Sequence, residues 1–474
     1  MKFKMPSAYS ILIAIIIVVA ILTWVVPAGQ YEENEEGAPI PGTYEELPEE
    51  ETTPQGISDV MTAPIKGFYD AVDIALFVLA VGGFLGIVMK TGAIDAGIAK
   101  VVEIFKGKES WMIIILMALF AIGGSTYGMA EESIAFYPLI VPIFIAAGYD
   151  AVTGVSVILL GAGLGVLGST VNPFATGVAS GFADVPLGGG IGMRLLILFA
   201  GEIIGIIYTI RYAKKVKEDP SKSLVADMKE ENEKHFLGDE DKDSFPELTG
   251  KRILILALFA LTFVVMIYGV LPLEDFNIEA IPTLWWWFEE LTALFLVAAI
   301  VIGIVYAVGN DEFGEEEFVG CFVNGARDLL GVALIVGVSR GITVVMNAGN
   351  ITATVLHAGE TTLAEAGSIP FIILTYLFYI PLSFLIPSTS GLATVSMPIM
   401  APLGDFANVA RTLVITAYQS ASGIVNLVTP TSAVVMGGLA IGRVPYSKWL
   451  KYVWKLLAMV FIMTILALML GVFI

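Results

Sequence analysis

The sequence predicts an all-α polytopic membrane protein made of two inverted-topology repeats, each with a re-entrant hairpin and a broken helix. Three observations predict it. The 474 residues are 57% hydrophobic with a mean hydropathy of +0.84, well above what a water-soluble globule carries. Apolar runs close to the ~20 residues needed to cross a ~30 Å hydrocarbon layer recur along the chain. A set of short polar and proline-containing motifs occurs twice in the same order.

In chain order the spanning runs are Tyr9–Pro27, Ala71–Met89, Ala151–Gly168, Met193–Ile210, Ile253–Leu271, Leu284–Val308, Asp328–Met346, Ala410–Val428 and Trp449–Ile474. The first follows Lys2 and Lys4. It is too long for a signal-peptide core of about 7 to 15 residues and no small-residue cleavage site follows, so it reads as a retained helix. Four further pieces, Trp111–Gly124, Phe136–Gly148, Pro370–Pro387 and Leu392–Phe406, read as too short to span and form two pairs joined by polar tips.

Loop charge sets the expected orientation. Residues 28–65 contain no Lys or Arg and many Glu, whereas ten Lys and Arg fall within 211–252. The first stretch is therefore expected outside, and the second inside together with the N-terminus. The acidic residues of that second stretch (Glu230, Glu231, Glu233, Asp239, Glu240, Asp241, Asp243) make it read as a solvated cytoplasmic linker that binds nothing. The expected domains are residues 1–210 as the first repeat, 211–252 as the linker, 253–283 as an extra connecting helix with an external loop, and 284–474 as the second repeat.

The repeat rests on matched landmarks. Ser125-Thr126-Tyr127-Gly128 answers Ser388-Thr389-Ser390-Gly391, and each precedes a Pro-x-x-x-Pro, at Pro138 and Pro142 and at Pro398 and Pro402. Val171-Asn172-Pro173 answers Val428-Thr429-Pro430, Val88–Gly92 answers Val345–Gly349, and Gly67 and Asp70 answer Gly325 and Asp328. Counting crossings from the N-terminus and from the linker sends Ala71–Met89 and Asp328–Met346 in opposite directions, which inverts the halves.

Several function classes fall away. Twenty-five Lys and Arg against 45 Asp and Glu leave a net charge of -20, which is no nucleic-acid footprint. One cysteine, Cys321, allows no internal disulfide. His235 and His357 leave little for a zinc site and read as loop or interface residues. No H-E-x-x-H occurs, Gly188-Gly189-Gly190 follows no strand, and no soluble segment is long enough for a nucleotide-binding domain. A channel stays open, because broken helices also line pores.

A site is expected where polar backbone meets membrane depth, since such backbone must face protein or a water-lined cavity. That happens at the tips, 124–133 and 387–391, and at the breaks, 168–173 and 428–432. The expected substrate residues are Ser125, Thr126, Glu131, Glu132, Asn172, Arg340, Ser388, Thr389, Ser390, Thr431 and Ser432. If the coupling ion is Na+, freed carbonyls with Ser169, Thr170, Asn172 and Thr429 suit it; H+ is the alternative, and no other cofactor or metal is expected. Each hydroxyl has a plainer use, bonding back to its own helix or joining two helices. Arg340 also reads as the ion-pair partner of a carboxylate such as Glu131 or Asp328, and Glu131 and Glu132 as a tip in water. Glu202 within its apolar run reads as a proton relay or as the partner of a Lys or Arg. Trp285, Trp286 and Trp287 read as an interfacial anchor.

Lys4-Met5-Pro6-Ser7-Ala8-Tyr9, Leu22–Tyr31, Gly128-Met129-Ala130-Glu131-Glu132 and Pro387–Gly391 resemble YfcC-like transporters, which belong with the C4-dicarboxylate anaerobic carriers of the ion transporter superfamily. The resemblance implies an inner-membrane secondary carrier, a homodimer and an elevator-like mechanism. In the related divalent anion:sodium symporters, Ser-Asn-Thr motifs at tips and breaks hold substrate and Na+. The matching places here read Ser125-Thr126, Ser169–Asn172, Ser388-Thr389 and Thr429–Ser432, with no Asn at either tip. The expected partners are the bilayer and a small carboxylate-bearing substrate, either a C4-dicarboxylate or a basic amino acid such as arginine or ornithine.

Overall fold

In the computed structural model the described residues are 8–34, 39–105, 108–126, 128–238, 247–270, 281–284, 286, 288–310, 312–363 and 366–474. Lys2, Lys4, Met5–Ser7, Tyr127, the acidic run 239–243, residues 271–280, Trp285 and Trp287 lie outside them.

The elements are almost entirely helical. In order they are α1 (Ala8–Leu22), the two-residue strands β1 (Gly29–Gln30) and β2 (Glu45–Glu46), α2 (Ile57–Asp70), α3 (Val72–Lys90), α4 (Ala93–Phe105), α5 (Glu109–Thr126), α6 (Tyr137–Ala146), α7 (Ala151–Leu167), α8 (Val178–Phe182) and α9 (Ile191–Glu218). After the linker helix α10 (Lys229–Leu237) come α11 (Gly250–Val270), α12 (Phe288–Ala307), α13 (Glu315–Asp328), α14 (Leu330–Ala348), α15 (Ile351–Leu363), α16 (Ser368–Leu385), α17 (Thr389–Phe406), α18 (Arg411–Val425), α19 (Ala433–Ile441) and α20 (Tyr446–Gly471). Among the described residues, α3, α5, α9, α12, α16 and α20 are long and apolar enough to cross a membrane.

Three sequence expectations change. First, α5 and α16, read as too short to span, are each 18 residues long; Gly123-Gly124 and Pro381 do not stop helices whose packing supports them. Second, α1 ends at Leu22, short of Pro27, because Thr23 turns the chain there: its Oγ1 donates to Ala20 O at 2.7 Å and accepts from Gln55 N at 2.8 Å. After it, β1 pairs antiparallel to β2 and α2 follows. Third, the linker is docked. The Asp150 carboxylate that caps α7 accepts from Thr153 N and Oγ1, Tyr212 OH and Ser223 Oγ at 2.6–2.9 Å. Asp227 pairs with Lys448 at 3.1 Å, and Glu231 pairs with Arg443. Burial, with Arg443 nearby, lowers the His235 imidazole below its ordinary pKa. Charges that look solvated in sequence find partners more than 200 residues away, which no local pattern reveals.

The helices sort into two groups, each drawing on both halves of the chain. In one, α2 packs along α14, α3 against α12 and α13, α1 on α14, and α11 on α12. In the other, α7 is surrounded by α5, α6, α9 and α18, while α16 and α17 pack on α18, and α20 on α9. Glycine permits the closest crossings in the first group. A Cβ on Gly67 would sit 2.4 Å from Gly337 O, and one on Gly325 would sit 2.2 Å from Gly82 O. The two landmark glycines of the sequence repeat thus make reciprocal crossings, α2 on α14 and α13 on α3.

Candidate functional site

A cavity of ≈ 330 Å³ opens between the two helix groups. Its first wall carries Asp70 at the end of α2, Asp73 at the start of α3, Arg340 on α14, and Trp286, Phe288 and Leu291 at the head of α12. The facing wall carries Glu131, Glu132 and Ser133 from the first tip, Asn172 from the first break, Ser388, Thr389 and Ser390 from the second tip, and Asn426 and Ser432 from the second break. Of the residues expected at the site, Glu131, Glu132, Asn172, Arg340, Ser388, Thr389, Ser390 and Ser432 converge here. Ser125, Thr126, Ser169, Thr170, Thr429 and Thr431 are not on its walls.

Five of those six hold the frame through their hydroxyls, while Ser169 contributes its carbonyl, which accepts from Thr176 Oγ1 and Gln419 Nε2. Ser125 Oγ and Thr170 Oγ1 lie 2.9 Å apart, and Thr170 N donates to Ser125 Oγ at 3.0 Å. Ser125 O, freed by the end of α5, accepts from Thr170 N and Val171 N at 3.0 and 3.3 Å. Thr126 Oγ1 bonds back to Ile122 O at 2.7 Å. In the second half, Thr431 Oγ1 donates to Phe384 O at 2.8 Å and lies 2.7 Å from Thr429 Oγ1. Each break is therefore tied to the end of the helix that leads into its tip, and hydroxyls absorb the polar groups that broken helices expose.

Local capping aims the lining. Asn172 Oδ1 accepts from Phe174 N at 2.9 Å and Ala175 N at 3.2 Å, restarting the helix after the break. Gly128 takes φ +78, and a Cβ there would fall 2.6 Å from Asn172 Oδ1, so glycine is required both by conformation and by space. Beyond it, Glu131–Phe136 forms a 3₁₀ turn. It buries Glu132, 6% exposed, whose Oε2 accepts from Ala130 N at 3.0 Å. Ser388 caps α17 by accepting from Gly391 N at 3.2 Å, and Ser432 stands at the N-terminus of α19.

The charge partners differ from those expected. Arg340 Nε lies 3.9 Å from Asp70 Oδ2, rather than beside Glu131 or Asp328, because α2 crosses α14 at Gly67 and brings its last residue alongside. Trp286, expected as an interfacial anchor, packs on Gly269, where a Cβ would lie 2.2 Å from the ring, and lines the cavity. Glu202 is buried with neither oxygen hydrogen-bonded among the described residues, and no Lys or Arg among them pairs with it.

Sequence reading missed Asn426, Asp70 and Asp73 on the cavity walls and Gln419 in the frame behind it. Gln419 Nε2 donates to Ser169 O at 3.1 Å, holding the first break from the second half of the chain. The signal for Gln419 was available: Gln419-Ser420-Ala421-Ser422 is a polar run inside an apolar one. The arrangement offers charged and hydroxylic groups around a guest-sized space, the equipment of binding rather than of bond-making. Among the described residues no cluster of three or more His, Cys, Asp or Glu could hold a metal ion.

The model of the C4-dicarboxylate anaerobic carrier family matches residues 5–473. An "Uncharacterized protein" of Haemophilus influenzae is 33% identical, over 95% of this chain and 94% of its own length. The "Putative basic amino acid antiporter YfcC" of Escherichia coli is 30% identical, over 98% of this chain and 95% of its own length. The solved YdaH transporter of Alcanivorax borkumensis covers 98% of each chain at 12% identity with a TM-score of 0.47.

Proposed function

This chain belongs to the C4-dicarboxylate anaerobic carrier family and is a membrane transporter, not an enzyme; we propose that its substrate is a basic amino acid, moved by exchange. The observation that carries this reading is the charge of the cavity: Asp70, Asp73, Glu131 and Glu132 line it against Arg340. A guest with two cationic groups and one carboxylate offsets that excess, whereas a dianion adds to it. The guest's carboxylate suits Arg340 or the positive helix ends at Ser388 and Ser432, and its ammonium groups suit Glu131 and Glu132. The name of the Escherichia coli relative agrees.

Counterflow tests it. Proteoliposomes loaded with ornithine should take up labelled arginine with saturation, and a tenfold excess of succinate or fumarate should leave uptake unchanged. Succinate counterflow with no arginine uptake overturns the reading, and non-saturable flux indicates a channel. The second reading, a C4-dicarboxylate, follows the family's description and uses Arg340 for one carboxylate.

The carrier framework is part of the same proposal. The reciprocal crossings at Gly67 and Gly325 support inverted repeats spanning 1–210 and 284–474, with 253–283 as the connecting segment. A cavity between two helix groups supports an elevator in which the group bearing the tips moves against the other. Loop charge supports an inner-membrane protein with its N-terminus in the cytoplasm, and a homodimer is the assembly the family resemblance implies. Na+ or H+ would be the coupling ion in a symport mode, and exchange needs neither.

A further inference from the structure

Three helices of the first half have mates of equal length in the second. Both α2 and α13 are 14 residues long, α3 and α14 are 19, and α4 and α15 are 13. Each mate begins 258 residues later (57 to 315, 72 to 330, 93 to 351). At that offset the charges on the first wall of the cavity pair unequally: Asp73 falls on Gly331 and Arg340 on Gly82, whereas Asp70 falls on Asp328. Each of these two aspartates is the last residue of its helix, where the negative end of the helix dipole disfavours an acid, so local stability explains neither. Asp70 has Arg340 beside it. Asp328 is exposed and forms no hydrogen bond or ion pair among the described residues.

Asp328 is not on the walls of the present cavity. A Cβ on Gly82 would lie 3.1 Å from Leu329 Cγ. Gly82 follows Asp73 by nine residues on α3 (73 to 82), which puts Asp328 roughly 14 Å farther along that helix at 1.5 Å per residue. The linker lies on that side: burial and the Arg443 charge lower the His235 imidazole, and the Asp328 charge opposes them.

We propose that Asp328 is the substrate-binding carboxylate of the first helix group when the tips face the linker side, the place that Asp70 holds in this structure. This rests on the elevator and the basic amino acid reading proposed above, because inverted repeats present equivalent walls to opposite sides of the membrane. The wall at Asp328 carries an acid and no arginine. An ionised dicarboxylate would meet only a like charge there, whereas an ammonium or guanidinium keeps a charge-assisted partner.

The substitutions Asp328→Asn and Asp328→Glu separate binding from support. Removing an unpaired acid from a helix end should leave the ligand-free thermal midpoint of the Asn variant at or above wild type. Counterflow of arginine against ornithine in proteoliposomes should slow roughly tenfold in that variant and return in the Glu variant. In a Cys321→Ala background, Asp328→Cys and Ser390→Cys should be joined by a short bis-thiosulfonate, which reads the approach of the second tip to Asp328. Wild-type counterflow in the Asn variant overturns the binding role, and so does a lowered midpoint in both variants, by making Asp328 a strut. Cysteines that fail to join overturn the placement while the basic amino acid reading stands. Wild-type protein that exchanges succinate and not ornithine overturns that reading and the proposal with it.

Discussion

Arg340 meets its counter-ion on its own wall: Nε stands 3.9 Å from Asp70 Oδ2, while Glu131 and Glu132 face it across the cavity from the tip. Asp70 is more than half exposed, so the pair is worth only about 0–1 kcal/mol. Arg340 therefore stays available to a guest.

That separation makes a charge prediction. Glu132→Gln should abolish exchange of arginine and ornithine yet leave a folded protein, since the carboxylate's own bond to Ala130 N survives in the amide. Arg340→Gln should raise KM for both amino acids. The double variant should be no better than Glu132→Gln alone, because the two residues are not each other's partners. Recovery of uptake in the double variant would sink this assignment.

The clasp between Ser125 and Thr170 should behave as structure rather than as ligand. Ser125→Ala and Thr170→Val should each lower stability by about 1–2 kcal/mol, and their double-mutant cycle should show coupling. Ornithine affinity measured well below the transition should stay near wild type. A large affinity loss at unchanged thermal midpoint would return Ser125 to the binding site.

The glycine crossings predict a steric cost in both halves. Gly67→Val and Gly325→Val place side chains where Gly337 O and Gly82 O stand 2.4 and 2.2 Å from a Cβ. Each should cut the yield of folded protein and lower the thermal midpoint by several degrees. Wild-type stability in either variant would show that the helices can part there.

For topology, single cysteines at Glu45 and Lys215 in a Cys321→Ala background should react with impermeant reagents from opposite sides. Labelling from one side would end the inverted arrangement.

The tips and breaks were legible because their signal is local: proline beside a cluster of hydroxyls in an apolar run marks a break, where a lone proline such as Pro381 does not. Eight of the expected site residues meet on one cavity for that reason. Ser125 and Thr170 carry the same composition, yet they serve the frame, because composition does not say which side of a break a hydroxyl faces. Asp70, Asp73 and Asn426 were illegible as site residues, since they reach the cavity through crossings between α2 and α14 and between α18 and the breaks, contacts set by tertiary packing. The amphipathic helices α2 and α13 escaped because a search for uniformly apolar runs passes over a helix with one polar face.

The split of the cavity's charges between two helix groups also has a kinetic meaning. In the proposed elevator, a guest touching both Glu131 and Arg340 would be a rivet through two plates that slide. The grip that gives selectivity on one plate has to be shed from the other before the plates can shear, so substitutions on either plate, at Arg340 as at the tips, should be felt in turnover as well as in affinity.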